Sequence, residues 1–314
     1  MIAFGPIPSR RLGRSLGVNN IPPKVCSYSC VYCQLGRTLR VRVGRYTFYE
    51  PQEVSRAVRS SIDRAAATAE AIDYLTFVPD GEPTMDINLG RQIALLKPLG
   101  IPMAVITNNS LTWREDVRRD LASADWVSLK IDAIDEAVWR RINRPHRSLH
   151  LPSLLEGAQE LARSYPGKLV TETMLVADIN DGPEHHQAVA EFVARLQPAV
   201  AYLLVPTRPP AEEWVHAPGE TALNRAYQIF SARVRQVELL TGYEGNAFAS
   251  SGNIEEDLLS ITAVHPLRED AVGALLSRTG ADWHTVQELI AQGQLVETAY
   301  GQHKFYVRRL RRAG

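Results

Sequence analysis

All three cysteines of this 314-residue chain fall within eight positions, Cys26-Ser27-Tyr28-Ser29-Cys30-Val31-Tyr32-Cys33. A C-x3-C-x2-C cluster puts three soft donors where one short loop can wrap a metal centre. Three ligands leave one coordination position open. An open iron on a cubane cluster can chelate a substrate or cosubstrate, whereas structural zinc needs a fourth protein ligand. The first histidine is as distant as His146. Iron–sulfur is therefore the leading reading, with zinc the weaker alternative.

Other words in the chain sharpen this. The spacing, the aromatic Tyr32, and the runs Gly5-Pro6-Ile7-Pro8-Ser9-Arg10-Arg11-Leu12-Gly13, Ser15-Leu16-Gly17-Val18-Asn19, Lys24-Val25-Cys26, Cys33-Gln34-Leu35-Gly36-Arg37-Thr38, Gly81-Glu82-Pro83-Thr84 and Thr107-Asn108-Asn109-Ser110 resemble the radical S-adenosylmethionine (SAM) superfamily. Within it they resemble the wyosine-synthase-like (tRNA imidazoguanosine synthetase-like) branch. The resemblance implies that Cys26, Cys30 and Cys33 bind a 4Fe-4S cluster and that SAM chelates the fourth iron through its amine and carboxylate. It places Tyr32 beside the adenine and gives the Gly81-Glu82-Pro83 turn the methionyl ammonium. It implies reductive cleavage of SAM to a 5′-deoxyadenosyl radical that abstracts hydrogen from a substrate, and a one-electron reductant such as flavodoxin or ferredoxin. Wyosine synthases use further cysteines for a second cluster, and this chain has none left. Another RNA modification, or action on a peptide or a phosphorylated metabolite, stays open.

Length suits one (β/α) domain of about 250 residues with a small appendage. The 35 bases and 35 acids cancel, yet residues 1–49 hold Arg10, Arg11, Arg14, Lys24, Arg37, Arg40, Arg42 and Arg45 and no acid. The rest carries 27 bases against 35 acids, net −8. A basic arm flanking the cysteine loop can draw in a phosphate-bearing or nucleic-acid substrate, or its bases can pair with acids elsewhere in the fold. No signal peptide or membrane span is expected. Clustered thiols without partners argue for a reducing, cytoplasmic setting and an oxygen-sensitive protein.

The elements that must position these residues read as α/β. A first strand over residues 15–20 delivers the cysteine loop at its carboxyl end, where catalytic loops of parallel barrels sit. Residues 53–69 are spaced as a helix and 72–78 as a buried strand. That strand ends in Pro79-Asp80-Gly81-Glu82-Pro83-Thr84, whose glycine and prolines hold carbonyls outward as acceptors for a cation. After a helix at 89–99 and a strand at 101–106, Asn108 can bond a cofactor sugar or carboxylate, while Ser110 suits the cap of a helix beginning near Leu111. Residues 126–132 alternate with period two, so Ser128, Lys130 and Asp132 share one face. Lys130 is then poised for the SAM carboxylate and Asp132 for ribose hydroxyls. Asn180 is a SAM contact or a turn former. Arg10, Arg144, Arg147 and Arg208 are candidate anion clamps. Strands at 168–176 and 199–205, helices at 149–163 and 184–196, and a long helix at 223–241 complete six strand–helix units, which fit the partial (β/α)6 TIM-like barrel of the radical SAM type over residues 1–250.

Residues 254–314 change pattern. Helices at 255–265, 267–279 and 282–292, the last capped by Asp282, precede strand-like residues 295–298 and 304–309, an order that resembles a winged helix. From 255 to 314 there are seven bases and eight acids, and residues 282–292 contain no Lys or Arg. A DNA reader should show a basic footprint. A module that docks a protein or presents substrate is the better reading, and a metal-sensing winged-helix regulator is the alternative of another class.

Overall fold

Short apolar runs such as Leu75 to Phe77 and Val127 to Leu129 can lose water on both sides only in a parallel sheet with helices laid across it. The structure, a computed structural model, describes residues 1–38, 40–242, 253–262 and 265–309. Its strands β1 (Ala3–Ser9) and β2 (Gly13–Val18) form an antiparallel pair, and β3 (Val25–Cys26) and β4 (Arg40–Val41) a small parallel pair around the cysteine loop. Then follow α1 (Pro51–Ala67), β5 (Tyr74–Phe77), α2 (Leu89–Leu96), β6 (Met103–Thr107), α3 (Glu115–Leu121), β7 (Trp126–Lys130), α4 (Glu136–Asn143), α5 (Leu151–Ser164), β8 (Lys168–Met174), α6 (Pro183–Leu196), β9 (Val200–Leu204), α7 (Glu220–Ser231) and β10 (Val237–Leu240). The sheet order is β1-β2-β5-β6-β7-β8-β9-β10, and every pair from β2 onward is parallel.

Alternate residues of each strand face opposite ways. Leu16, Leu75, Phe77, Val105, Val127, Leu129 and Leu203 point to the helix layer and join Val54, Ile93, Val117, Leu161, Val193 and Phe230 in the main core. Each such side chain contributes about 1.5–3 kcal/mol on burial. The other face holds Leu12, Ala104, Trp126, Val170, Val200, Tyr202 and Leu240 in one cluster. Leu12 and Leu240 come from opposite ends of the sheet, so the sheet curls around them.

Six strand–helix units undercount this sheet. Residues 223–241 do not form one helix: α7 ends at Ser231, and β10 pairs with β9. The reason is packing, since Val237 and Leu239 lie against the helix layer while Leu240 turns to the concave face. The first strand starts earlier than expected, and β1 lies antiparallel against it.

The last segment is α8 (Ile254–Thr262), β11 (Leu267–Arg268), α9 (Glu269–Thr279), α10 (Trp283–Ala291), β12 (Leu295–Tyr300) and β13 (His303–Arg308), with an antiparallel sheet in the order β11-β13-β12. Gly280, at φ +69, ends α9 in the left-handed turn that a side chain disfavours. Asp282 caps α10 as expected, accepting from the His284 amide at 2.8 Å. This segment shares its core with Phe4 and Ile7 of β1. The boundary expected at 250 and the basic residues Arg311 and Arg312 lie outside the described residues.

Much of the basic arm is absorbed by the fold. Arg14 pairs with Glu70, Lys24 with Asp80, Arg37 with Glu212, and Arg11 with Glu172. Arg45 is the most deeply committed: its side chain is 3% exposed, bonds Asp116 at 2.8 Å and Asp120, and donates to the carbonyls of Thr84 (2.9 Å) and Asp86 (2.8 Å). We expect Arg45→Ala, which strands those acids, to cost roughly 3 kcal/mol in denaturant unfolding. The exposed Arg40 and Arg42 should cost under about 0.5 kcal/mol each when replaced by alanine.

Candidate active site

The cysteine loop is held by backbone pairing at both ends. Before it, the Lys24 amide donates to Asp80 O (2.9 Å) and Glu82 N to Val25 O (3.3 Å). A Cβ on Gly81 would stand 1.9 Å from Val25 O, so only glycine permits this approach. Within the loop, Ser29 N and Val31 N bond the carbonyls of Asn143 (3.1 Å) and Ile142 (2.9 Å), the last residues of α4. Turns Cys33 N to Cys30 O (3.1 Å) and Gly36 N to Cys33 O (3.0 Å) wrap it. Tyr28 packs edge-on against Trp139, 6.0 Å between centroids, and accepts from its indole at 3.2 Å.

Cys26, Cys30 and Cys33 all line one cavity of about 290 Å³ at the carboxyl ends of the strands. They are half-buried free thiols. Burial pushes their pKa values up, for Cys30 to about 12. A metal bound here would favour the thiolate form against that burial. Asn108 Nδ2 stands 3.4 Å from Cys26 Sγ and Asn143 Nδ2 3.5 Å from Cys30 Sγ, amide donors of the kind that stabilise cluster sulfurs. Among the described residues no three His, Cys, Asp or Glu side chains converge on one point as a single ion would demand. A cubane takes each thiolate on a different iron, so the donor set fits a cluster better than zinc.

Of the other expected residues, Tyr32, Gly81, Glu82, Asn108, Lys130, Arg10 and Arg208 line the same cavity. Tyr32 donates to the Asp132 carboxylate and carries Lys130 Nζ 5.5 Å above its ring. Glu82 is 1% exposed, and its carboxylate is turned inward, accepting from Thr84 N (3.0 Å), Thr84 Oγ1 (2.5 Å), Thr107 Oγ1 (2.7 Å) and Asn108 N (2.7 Å). Burial nonetheless leaves its pKa raised.

Five other expected residues are engaged within the fold. Asp132 lies beyond the end of β7, 3% exposed, accepting from Tyr32, Asn143 Nδ2 (2.7 Å) and Met174 N (2.9 Å). Asn180, fully buried, spends its amide on Asp132 O (3.0 Å), Met174 O (2.8 Å) and Val176 N (2.8 Å), which is the turn-forming role. Pro83 opens a 3-10 turn away from the cavity wall, its carbonyl accepting from Asn20 Nδ2 at 3.0 Å. Arg144 pairs with Glu212, which Arg37 also grips at 2.8 and 2.9 Å. Ser110 bonds Ser27 Oγ at 2.5 Å instead of capping a helix, and α3 begins only at Glu115.

The sequence reading missed Glu172. It is 2% exposed on the concave face and takes Arg11 Nη1, Ser128 Oγ (2.8 Å) and Lys130 Nζ (3.3 Å). An acid between Thr171 and Thr173 in a buried strand was the available signal. Burial alone raises its pKa, but Arg11, Lys130 and Ser128 outweigh that and hold it down to about 2.

The cysteines and the Gly81-Glu82 turn fall inside a family match. Residues 20–192 match the Radical SAM superfamily, more than half of the chain. The chain belongs to the radical SAM superfamily. It is 44% identical over 312 residues to the UPF0026 protein MJ1312 of Methanocaldococcus jannaschii, covering 99% of this chain and 97% of that protein. Among solved folds, a radical SAM methyltransferase from Sphaerobacter thermophilus superposes with a TM-score of 0.55 at 18% identity over 72% of this chain, which spans 66% of its length. A TYW1 structure with a lysine-pyruvate adduct bound gives 0.55 at 16% identity, over 70% of this chain and 74% of that one. Both share the fold. The chain is thus a radical SAM enzyme, and the superfamily uses a 4Fe-4S cluster and SAM with an external reductant.

The carboxylate of Glu172 has a depressed pKa, so its stabilisation is fully present above about pH 4.5 and is lost as pH falls toward about 2. We expect Glu172→Gln to lower stability at neutral pH by about 3 kcal/mol, because two cations lose their partner. It should also flatten the acid limb of stability between those pH values, read by urea unfolding.

Proposed function

We propose that Cys26, Cys30 and Cys33 anchor the cluster and that the adjoining cavity receives SAM together with an anionic substrate, a phosphorylated metabolite being the class best supported. The observation that carries the substrate class is the wall itself. Arg10, Arg11, Lys24, Lys130 and Arg208 face Asp80, Glu82 and Glu172, five cations against three acids, and each acid is already engaged within the wall. Such a surplus favours a carboxylate or phosphate.

When bound, the cluster and SAM supply reductive SAM cleavage and a hydrogen-abstracting radical. The chain's own part is to bind, orient and exclude water. Asn108 and Asn143 donate to the sulfurs of Cys26 and Cys30. Asp132 and Asn143 fix the Tyr32 hydroxyl, so its ring is held as a flat wall for the adenine. Carbonyls of the Gly81-Glu82 turn are acceptors for the SAM ammonium, while Lys130 suits the carboxylate. Asp132 and Asn180 act behind this layer. Flavodoxin or ferredoxin is the fitting electron donor, in a reducing cytoplasm. Among the described residues no helix is long and apolar enough to cross a membrane.

RNA is the second reading. Its support is a strip beside the loop, where exposed Arg40 and Arg42 adjoin exposed Tyr46 and Arg42 lies 5.9 Å from the Tyr46 ring centroid. For the C-terminal segment, the order α8-β11-α9-α10-β12-β13 supports a winged helix with one strand more than the sequence suggested. α10 has no Lys or Arg, and Tyr300 OH of β12 donates to Pro206 O (3.2 Å) at the cavity rim. Both favour docking or substrate presentation over DNA reading.

Anaerobically reconstituted protein with dithionite and SAM should release 5′-deoxyadenosine. Alanine at any one of Cys26, Cys30 or Cys33 should abolish both that product and the visible iron–sulfur absorption. A single variant that keeps a full four-iron cluster refutes the ligand assignment. For the substrate, tRNA binding should be weak and unaffected by the double variant Arg40→Ala, Arg42→Ala. Tight binding whose salt slope falls by about one per arginine removed would favour RNA instead.

A further inference from the structure

We propose that the buried ammonium of Lys24, kept beside the cysteine loop by Asp80, sets the reduction potential of the cluster and so governs electron entry. This rests on the reading that Cys26, Cys30 and Cys33 anchor that cluster. Lys24 stands at φ +62, a left-handed conformation that costs a non-glycine residue about 1–2 kcal/mol. Its backbone is fixed from both sides: its amide donates to Asp80 O at 2.9 Å, and its carbonyl accepts from Arg40 N at 3.2 Å. The side chain thereby enters the cavity wall, 10% exposed.

There the ammonium has no hydrogen-bond partner, and its nearest acid, Asp80 Oδ1, lies at 3.7 Å. Asp80 Oδ2 is equally unpartnered. A buried cation with three unused donors is expensive, and an apolar side chain would fill the same space at lower cost. What the site keeps, then, is charge at a chosen place. The place is under the cluster loop: a Cβ built on Gly36 would meet Lys24 Nζ at 3.8 Å, and Gly36 is the residue whose amide closes the turn on Cys33 O at 3.0 Å.

The charge balance gives the consequence. Three thiolates about a doubly positive iron–sulfide core leave one net negative charge in a desolvated cavity, and one-electron reduction makes it two: the cluster gains one electron, the external donor loses one, and no proton moves at Lys24. A fixed cation beside the loop stabilises the reduced state more than the oxidised state, because the interaction scales with the charge it faces. Asp80 opposes it. The pair therefore works as a trim, with Lys24 raising the potential and Asp80 lowering it.

Spectroelectrochemical titration of the reconstituted enzyme, read in the cluster's own absorption and EPR signal, tests this without an activity assay. Lys24→Met should make the potential more negative by at least tenfold in the equilibrium constant, about 59 mV for one electron. Asp80→Asn should move it in the positive direction, and Lys24→Arg should hold it near wild type. Should Lys24→Met fail to load the cluster, Asp80→Asn and Lys24→Arg still decide, since both keep the cation. Shifts of the same sign for Lys24→Met and Asp80→Asn, or a potential unmoved by Asp80→Asn, overturn the proposal. A wild-type protein that takes up no cluster removes the ligand assignment and this proposal together, whereas a loaded wild type with unmoved potentials removes only this one.

Discussion

The contact between Gly81 and Val25 governs the site. With a Cβ space of 1.9 Å, the backbone of β3 and that of the turn after β5 meet where no side chain can intervene. That contact seats Glu82 N on Val25 O, and Glu82 in turn gathers Thr84, Thr107 and Asn108 around its carboxylate. Asn108 is then presented to Cys26 Sγ. A missing methyl group on β5's exit thus determines, three contacts later, where an amide meets a sulfur.

Around this frame the cavity buries anions in three different ways. Glu82 is satisfied by neutral donors, and burial still leaves its pKa raised. Glu172 is matched by cations, and its pKa falls to about 2. The thiols are matched by neither to the same degree and rise, Cys30 to about 12. The acids are met by direct hydrogen bonds and ion pairs, whereas Cys26 and Cys30 meet amide donors at 3.4 and 3.5 Å.

How much of this was legible follows from the sequence distance of each contact. Cys26, Cys30, Cys33 and Tyr32 share one loop, and Gly81 marks a turn whose composition is local, so spacing revealed them. Glu172 was hidden because its meaning lies in register: β7 and β8 align Lys130 with Glu172, and nothing in either segment alone announces the pair. A polar residue after a strand looks the same whether it faces a ligand or ties down a loop, which is why the sequence allows Asn180 either role and does not show the buried bonds of Asp132. The basic arm shows the same limit. A run of arginines without acids suggested a nucleic-acid footprint, yet Arg37 and Arg45 find their acids 175 and about 70 to 75 positions away. β10 was lost to a helical pattern that continues in hydrophobicity after the backbone has turned.

One hydrogen bond reaches beyond the site. Tyr300, in the C-terminal segment, is bonded to Pro206, and two residues on Arg208 Nη1 donates to Gln34 Oε1 at 2.7 Å, next to Cys33. The rim of the cavity is therefore suspended between the appendage and the cysteine loop. The path from the appendage thus ends one residue from a thiol. By thermodynamic reciprocity, whatever binding at the appendage does to the affinity for a guest in the cavity, the guest does to that binding by the same factor. Along this path, any such coupling would have to pass through two hydrogen bonds, Tyr300 to Pro206 and Arg208 to Gln34.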